Sequence, residues 1–274
     1  MKKRGYLYVA MGGKFLTEAT RSIQSLLKVD PNAEVTLVTD STEKEVSGFN
    51  NVIFLDEDID RPYLYKIKAI GLSPYDQTFY IDSDTYFCDC CTELFELLNH
   101  FDMLIGHCNS DYFSVYDNNE QEVKGIYPYN TGVIVFKKNE KTVELLNRWY
   151  NAYRNHFDKY VQDQAPFIEA LLLVDIKMYV FPTIYNARTP YPFSMIARPV
   201  KIIHGRHKDY AKIAKKLNQN ILHSRIWFPR FQLVIVFKRT FLFNWYMSLG
   251  PSFKAKIKKI IRPVVVKFGL RDYI

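Results

Sequence analysis

Short apolar runs alternate with helix-spaced patterns through the first two hundred residues. Gly5–Ala10, Glu34–Thr39, Val52–Leu55 and Thr78–Ile81 are compact runs of strand-forming residues bounded by turn residues. Between them, Thr17–Lys28 sets Ala19, Ile23, Leu26 and Leu27 on one helical face. Tyr63–Ile70 also reads as helix, closed by Gly71 and Pro74. Further on, Thr92–Asn99 (with Thr92 as N-cap), Glu140–Asn155 and Gln162–Leu173 read as helices. Met103–His107, Gly132–Lys137, Lys177–Phe181 and Val200–His204 read as strands. This order predicts an α/β fold with a mostly parallel central sheet covered by helices. Right-handed crossovers then put the loops that follow strands on one edge, where open α/β sheets bind ligands.

Length and composition narrow the class. The chain has 274 residues, 48% hydrophobic and 24% charged, which excludes a disordered, collagen-like or polytopic membrane protein. Charge divides it further. From Lys201 onward there are 17 basic residues against two acidic ones, Asp209 and Asp272, whereas the first 200 residues hold 20 basic and 27 acidic. The reading is a catalytic domain over residues 1–215 and a basic, aromatic-rich tail over residues 216–274. In that tail Pro251–Arg262 spaces Phe253, Ile257, Ile260 and Ile261 as an interfacial amphipathic helix. The expected partner of the tail is an anionic membrane surface. No nucleic-acid motif accompanies it, so nucleic acid is the weaker reading. The stretch Ile226–Met247 is broken by Arg230, Lys238 and Arg239 and is not a membrane span. Cys88, Cys90, Cys91 and Cys108 match no zinc spacing and read as reduced, structural thiols. The Met-Lys-Lys-Arg start and its apolar run read as a first strand rather than a signal peptide. The expected location is cytoplasmic, peripheral on the membrane face.

The sharpest chemical signal is Thr78-Phe-Tyr-Ile-Asp82-Ser83-Asp84-Thr85, an Asp-x-Asp pair straight after a buried strand. Two carboxylates on one turn repel unless a cation sits between them, and hard oxygen ligands suit Mg²⁺ or Mn²⁺. Two chemistries use such a pair. In a phosphatase-like hydrolase the first Asp attacks phosphorus. That pattern belongs to a first strand with Thr or Val two places after the second Asp. Here the strand is about the fourth and the residue is Tyr86. In glycosyl transfer from a sugar nucleotide, the cation neutralises the departing diphosphate. A non-enzymatic membrane-binding protein on a degenerate transferase fold is the third reading.

Phe79-Tyr80-Ile81-Asp82-Ser83-Asp84, Tyr129-Asn130-Thr131-Gly132-Val133-Ile134-Val135-Phe136, Asp163-Gln164 and Ile202-Ile203-His204-Gly205 follow in order. Together they resemble the signposts of GT-A-fold glycosyltransferases, glycosyltransferase family 8 and its bacterial relatives. The resemblance spans about Gly5 to Lys208. It implies a GT-A (Rossmann-like) fold, and a hexosyltransferase that moves a sugar from a UDP-type nucleotide diphosphate to an acceptor hydroxyl with retention, in glycan or glycolipid synthesis. By the same resemblance Asp82, Asp84 and His204 ligate the metal, which the imidazole tilts from Mg²⁺ toward Mn²⁺. Asp163 binds a donor-sugar hydroxyl and Gln164 sits near the anomeric carbon, the pair forming the catalytic set. Lys66, Asn130, Gly132, Gly205 and Lys208 contact the donor, and Asp40 the nucleotide base. The acceptor is a saccharide or a lipid-linked saccharide. The family's first-strand Thr-x-Asn is replaced here by Ala10-Met11-Gly12-Gly13, and its final Lys-Pro-Trp by Lys208-Asp209-Tyr210. Asn109–Tyr127 reads as either a lid or a surface loop.

Overall fold

The structure is a computed structural model. It describes residues 2–40, 48–55, 61–108, 113–117, 121–156, 159–160, 162–189, 191–237, 250–253, 255, 256 and 259. The chain runs β1 (Arg4–Ala10), α1 (Gly12–Val29), β2 (Val35–Thr39), β3 (Asn51–Phe54), α2 (Pro62–Gly71), β4 (Gln77–Ile81) and β5 (Thr85–Phe87). Then come α3 (Glu93–Leu97), β6 (Met103–His107), β7 (Phe113–Tyr116), β8 (Glu122–Ile126), β9 (Tyr129–Lys137), α4 (Glu140–Asn155) and α5 (Gln164–Leu171). It continues through β10 (Met178–Phe181), β11 (Ala187–Arg188), β12 (Phe193–Met195), β13 (Ile202–His204), α6 (Tyr210–Asn218), β14 (Ser224–Phe228) and β15 (Leu233–Phe237).

Seven strands form the central sheet in the order β10-β6-β9-β4-β1-β2-β3. All neighbours are parallel except β9, which runs antiparallel to both β4 and β6. β2 and β4 are buried along their whole length, as strands covered on both faces must be. One face packs under α2, α4 and α5 around Tyr65, Trp149 and Phe167. The other packs under α1 and α3, where Tyr6, Phe79, Phe87 and Phe95 cluster with ring centroids 5.2–6.4 Å apart.

The reversed direction of β9 corrects the expectation that every loop of the ligand edge follows a strand. The start of β9, not its end, lies at that edge, with Val133 opposite Ile81. Val200–His204 does not extend the central sheet either. β13 joins a separate sheet, β11-β13-β5, and its antiparallel pairing sets His204 opposite Thr85.

Other boundaries move for identifiable reasons. α1 begins at Gly12, five residues before the predicted start, because Asp40 Oδ1 accepts the Gly12 N–H at 2.7 Å and supplies the acceptor that the Gly12-Gly13 pair lacks. Thr92 is not an N-cap. Its backbone is helical, it makes no capping bond, and its hydroxyl lies 3.3 Å from Cys90 Sγ. α4 starts where predicted, on a reciprocal cap between Asn139 and Thr142.

The division at 215/216 falls inside α6. Beyond it, Leu217 and Trp227 are fully buried with Phe193 and Met195, and β14 pairs with both β12 and β15. The described residues from 224 to 237 are therefore mainly strand, because Arg225, Trp227 and Val234 face inward in alternation. The predicted amphipathic helix starts later: residues 251–253, 255, 256 and 259 are helical, and Ile257, Ile260 and Ile261 lie outside the described residues. Of Asn109–Tyr127, the described parts form the β7–β8 hairpin; residues 109–112 and 118–120 lie outside them. All four cysteines are free thiols, and burial beside Asp89 pushes the Cys88 thiol up to about 12, which suits an inert structural residue. No helix among the described residues is long and apolar enough to cross a membrane.

Candidate functional site

Asp82 is the first residue after β4 and Asp84 the last before β5, so the pair sits where the chain leaves the central sheet for the smaller one. The β5–β13 ladder continues into a bond from the Gly205 N–H to the Asp84 carbonyl at 2.8 Å, which brings His204 over both aspartates. Its Nε2 lies 3.4 Å from Asp84 Oδ1 and 3.7 Å from Asp82 Oδ2. Ligand atoms of the three side chains lie within 4.8 Å of one another.

Gly132 makes this closeness possible. A Cβ there would lie 2.3 Å from His204 Cε1 and 2.5 Å from Asp82 Oδ2. The missing side chain clears room for the carboxylate–imidazole group itself, whereas the sequence reading gave Gly132 to the donor. Two carboxylates and one imidazole, converging where the backbone has been thinned to glycine, fit a hard-to-borderline divalent cation such as Mn²⁺.

The charges around the group are partly balanced. Tyr80, two residues before Asp82 on the same side of β4, donates its hydroxyl to Asp82 Oδ1 at 2.5 Å. Lys66 Nζ lies 3.3 Å from the same oxygen. Burial works against the Asp84 carboxylate, yet the hydrogen bond and charge of His204, with Arg206 behind them, hold its pKa down to about 2. Arg206 is itself anchored by Glu18, at 2.7 and 3.0 Å.

Beneath Asp82 lies a second, drier group. Lys66 Nζ meets Asp163 Oδ2 at 2.9 Å and Thr131 Oγ1 at 3.3 Å, and the Thr131 hydroxyl is 3.0 Å from both Asp163 oxygens. Trp149 Nε1 fixes the Asp163 backbone by donating to its carbonyl at 2.8 Å. Burial would lower the Lys66 pKa, but the Asp163 and Asp82 carboxylates raise it above the ordinary lysine range. Asp163 stands at the N-cap position of α5 without capping it.

These residues open into a cavity of about 410 Å³ lined by Asp82, Asp84, His204, Lys66, Arg188 and Arg206, with Tyr63 and Phe15 on its walls. A second cavity of about 360 Å³ by α4 and α5 holds Glu169. That carboxylate is already taken by the Tyr160 hydroxyl and the Tyr116 N–H, and among the described residues the group whose ligand atoms converge as a metal site is Asp82, Asp84 and His204, in the first cavity.

The remaining sequence-predicted residues stand apart from the first cavity. Asp163 and Gln164 are buried behind it, and Asp163 is engaged by Lys66 and Thr131. Asn130 is buried and accepts from the Gly132 N–H and from Asn186. Gly205 has φ +114, and a Cβ there would meet the Thr189 carbonyl at 2.7 Å, so its glycine serves that close packing. Asp40 is exposed and tied to Gly12. Lys208 is exposed and does not line the cavity, because the chain turns away into α6, which Asp209 caps through the Lys212 N–H.

The sequence reading missed Arg188 and Asn186. Both stand at or beside the two-residue strand β11, where no periodicity can register, and only its pairing with β13 brings them to His204.

The sequence profile of nucleotide-diphospho-sugar transferases matches residues 77–216, just over half of the chain. Among solved structures, the glycosyltransferase GlyE of Streptococcus pneumoniae TIGR4 is similar at 13% identity and a TM-score of 0.55. The match covers 80% of this chain and 57% of GlyE, so the chain spans a little over half of that relative's length. The galactosyltransferase LgtC, solved in complex with donor and acceptor sugar analogs, is similar at 13% identity and a TM-score of 0.51, over 79% of this chain and 95% of LgtC. At these identities the likeness is one of fold, the GT-A architecture. No curated protein matches the sequence.

Proposed function

The chain belongs to the nucleotide-diphospho-sugar transferase family, a glycosyltransferase family, and from that membership we propose that it moves a hexose from UDP to an acceptor hydroxyl with retention of anomeric configuration. The observation that carries the reading is the convergence of Asp82, Asp84 and His204 at the rim of a cation-lined cavity. These three residues would hold Mn²⁺. When bound, a divalent cation supplies Lewis acidity and a template for the leaving diphosphate. Lys66, Arg188 and Arg206 place fixed positive charge around the same space, where negative charge develops on the departing group. Arg188 is placed beside the Cys108 sulfur at 3.5 Å and its guanidinium lines the same cavity. Lys66 is shared between Asp82 and Asp163. A diphosphate drawing Lys66 toward itself would release the Asp163 carboxylate to a donor-sugar hydroxyl, with Gln164 next to it. Asp40, Asn130, Gly205 and Lys208 remain proposed donor contacts on the resemblance alone.

The test is hydrolysis of a panel of sugar nucleotides with Mn²⁺. One UDP-sugar is expected to be cleaved faster than the rest, with activity lost on chelation and in Asp84→Ala. Equal, metal-independent release from all of them would refute the reading.

All of these groups lie in residues 1–215, which we assign to catalysis, and residues 216–274 we assign to attachment, with a saccharide or lipid-linked saccharide acceptor. Phe231, Leu233, Ile235 and Phe237 are exposed on the β15 hairpin, in a stretch with no acidic residue between Asp209 and Asp272. That combination suits an anionic lipid surface, and we place the enzyme peripherally at the cytoplasmic face. The protein is expected to sediment with phosphatidylserine vesicles and to be released by salt. Equal binding to neutral phosphatidylcholine vesicles, or none to either, would count against it.

A further inference from the structure

We infer that Asn130 and Asn186 are positioning residues that keep a proton on His204 Nδ1, so that Nε2 is the nitrogen presented to a cation between Asp82 and Asp84. The chain of evidence starts at a backbone N–H, which can only donate. The Asn130 side-chain atom that meets the Gly132 N–H at 3.2 Å is therefore its carbonyl oxygen. The same oxygen lies 2.8 Å from the Asn186 amide, and two amide oxygens would repel at that distance, so Asn186 turns its NH₂ toward it. This leaves Asn186 Oδ1 facing His204 Nδ1 at 2.8 Å. An amide oxygen only accepts, so Nδ1 carries the proton. With Nδ1 committed to Asn186, Nε2 is the nitrogen left facing the carboxylates, and its lone pair is the one that a cation takes.

Burial makes the relay binding. Asn130, Asn186 and His204 are 2%, 5% and 4% exposed, so bulk water is not at hand to offer Nδ1 another partner or reverse the amides. Gly132 thereby contributes twice. Its absent Cβ gives the ring its room, and its N–H sets the direction of every donor along the relay. A divalent cation is the ligand class that the lone pair on Nε2 suits. The role rests on the reading of Asp82, Asp84 and His204 as a cation site.

The test uses the full chain. Nitrogen-15 spectra of the metal-free protein report the His204 tautomer, and Mn²⁺ alone is titrated into wild type, Asn186→Leu and Asn130→Asp. Wild type is expected to carry its proton on Nδ1. Asn186→Leu is expected to lose that preference and to bind Mn²⁺ about ten- to a hundredfold more weakly. Asn130→Asp keeps an oxygen toward Gly132 and Asn186 and is expected to retain the tautomer. A wild-type His204 whose Nδ1 carries no proton would overturn the inference, and that measurement needs no variant to fold. So would an Asn186→Leu protein that binds Mn²⁺ as tightly as wild type. The Nδ1 proton in place without any affinity for Mn²⁺ in wild type would instead refute the cation site and uphold the relay.

Discussion

Gly132→Ala is expected to abolish measurable Mn²⁺ binding while the protein stays folded. The added methyl would stand 2.3 Å from His204 Cε1 and 2.5 Å from Asp82 Oδ2, well inside contact distance, and neither neighbour is a flexible side-chain end. His204 is held by the β5–β13 ladder and by Asn186, and Asp82 by the Tyr80 hydroxyl and by a bond from its own N–H to the Gly132 carbonyl at 2.8 Å. The methyl must therefore push apart the groups that a cation needs together. Displacing ligands themselves should cost at least the roughly 100-fold seen for losing a supporting contact, with about 1–3 kcal/mol of stability lost to overpacking. Titration with Mn²⁺ and urea denaturation check both. An alanine variant with wild-type affinity would show that the carboxylate–imidazole group is not the binding site.

Lys66→Met is expected to produce the largest loss of stability. Its ammonium is 2.9 Å from Asp163 Oδ2, and the Asp163 side chain is 3% exposed. Methionine fills the space but leaves a buried carboxylate that, among the described residues, keeps the Thr131 hydroxyl for support. Breaking a buried pair from one side costs about 3–5 kcal/mol, whereas removing both charges costs far less. Urea denaturation of Lys66→Met, and of the same variant carrying Asp163→Asn, should show the second change restoring much of the loss. If Lys66→Met matched wild type in stability, Lys66 and Asp163 would not form the buried pair seen here.

How much of this could be read in the sequence depended on the reach of each interaction. Asp82 and Asp84 were legible because their signal is local, a fully apolar strand ending in two acids. α4 was legible to the residue because Asn139 and Thr142, three positions apart, cap it. The start of α1 was not, because the acceptor that permits it is Asp40, 28 positions on. The direction of β9 was hidden for a different reason: a buried strand carries the same apolar run whichever way it points, and its connections decide. Asn130 was recognised as a residue of note, but its bond to Asn186 was not legible, since Asn186 lies 56 positions away. Gly132 and Gly205 were likewise singled out, and the space they clear belongs to protein groups, His204 and Asp82 in one case and Thr189 in the other. For Lys208 and Asp40 the linear motif did not show the turn into α6 that follows the one, or the bond to the N-terminus of α1 made by the other.

The central claim is that Asp82, Asp84 and His204 together grip one divalent cation that carries a nucleoside diphosphate. Crystals grown with MnCl₂ and UDP, measured at the manganese absorption edge, address it most directly. The account predicts a single strong anomalous peak in contact with an Asp82 oxygen, an Asp84 oxygen and His204 Nε2, with diphosphate density on its open side. Manganese absent from that position, with UDP bound elsewhere in the protein, would contradict it.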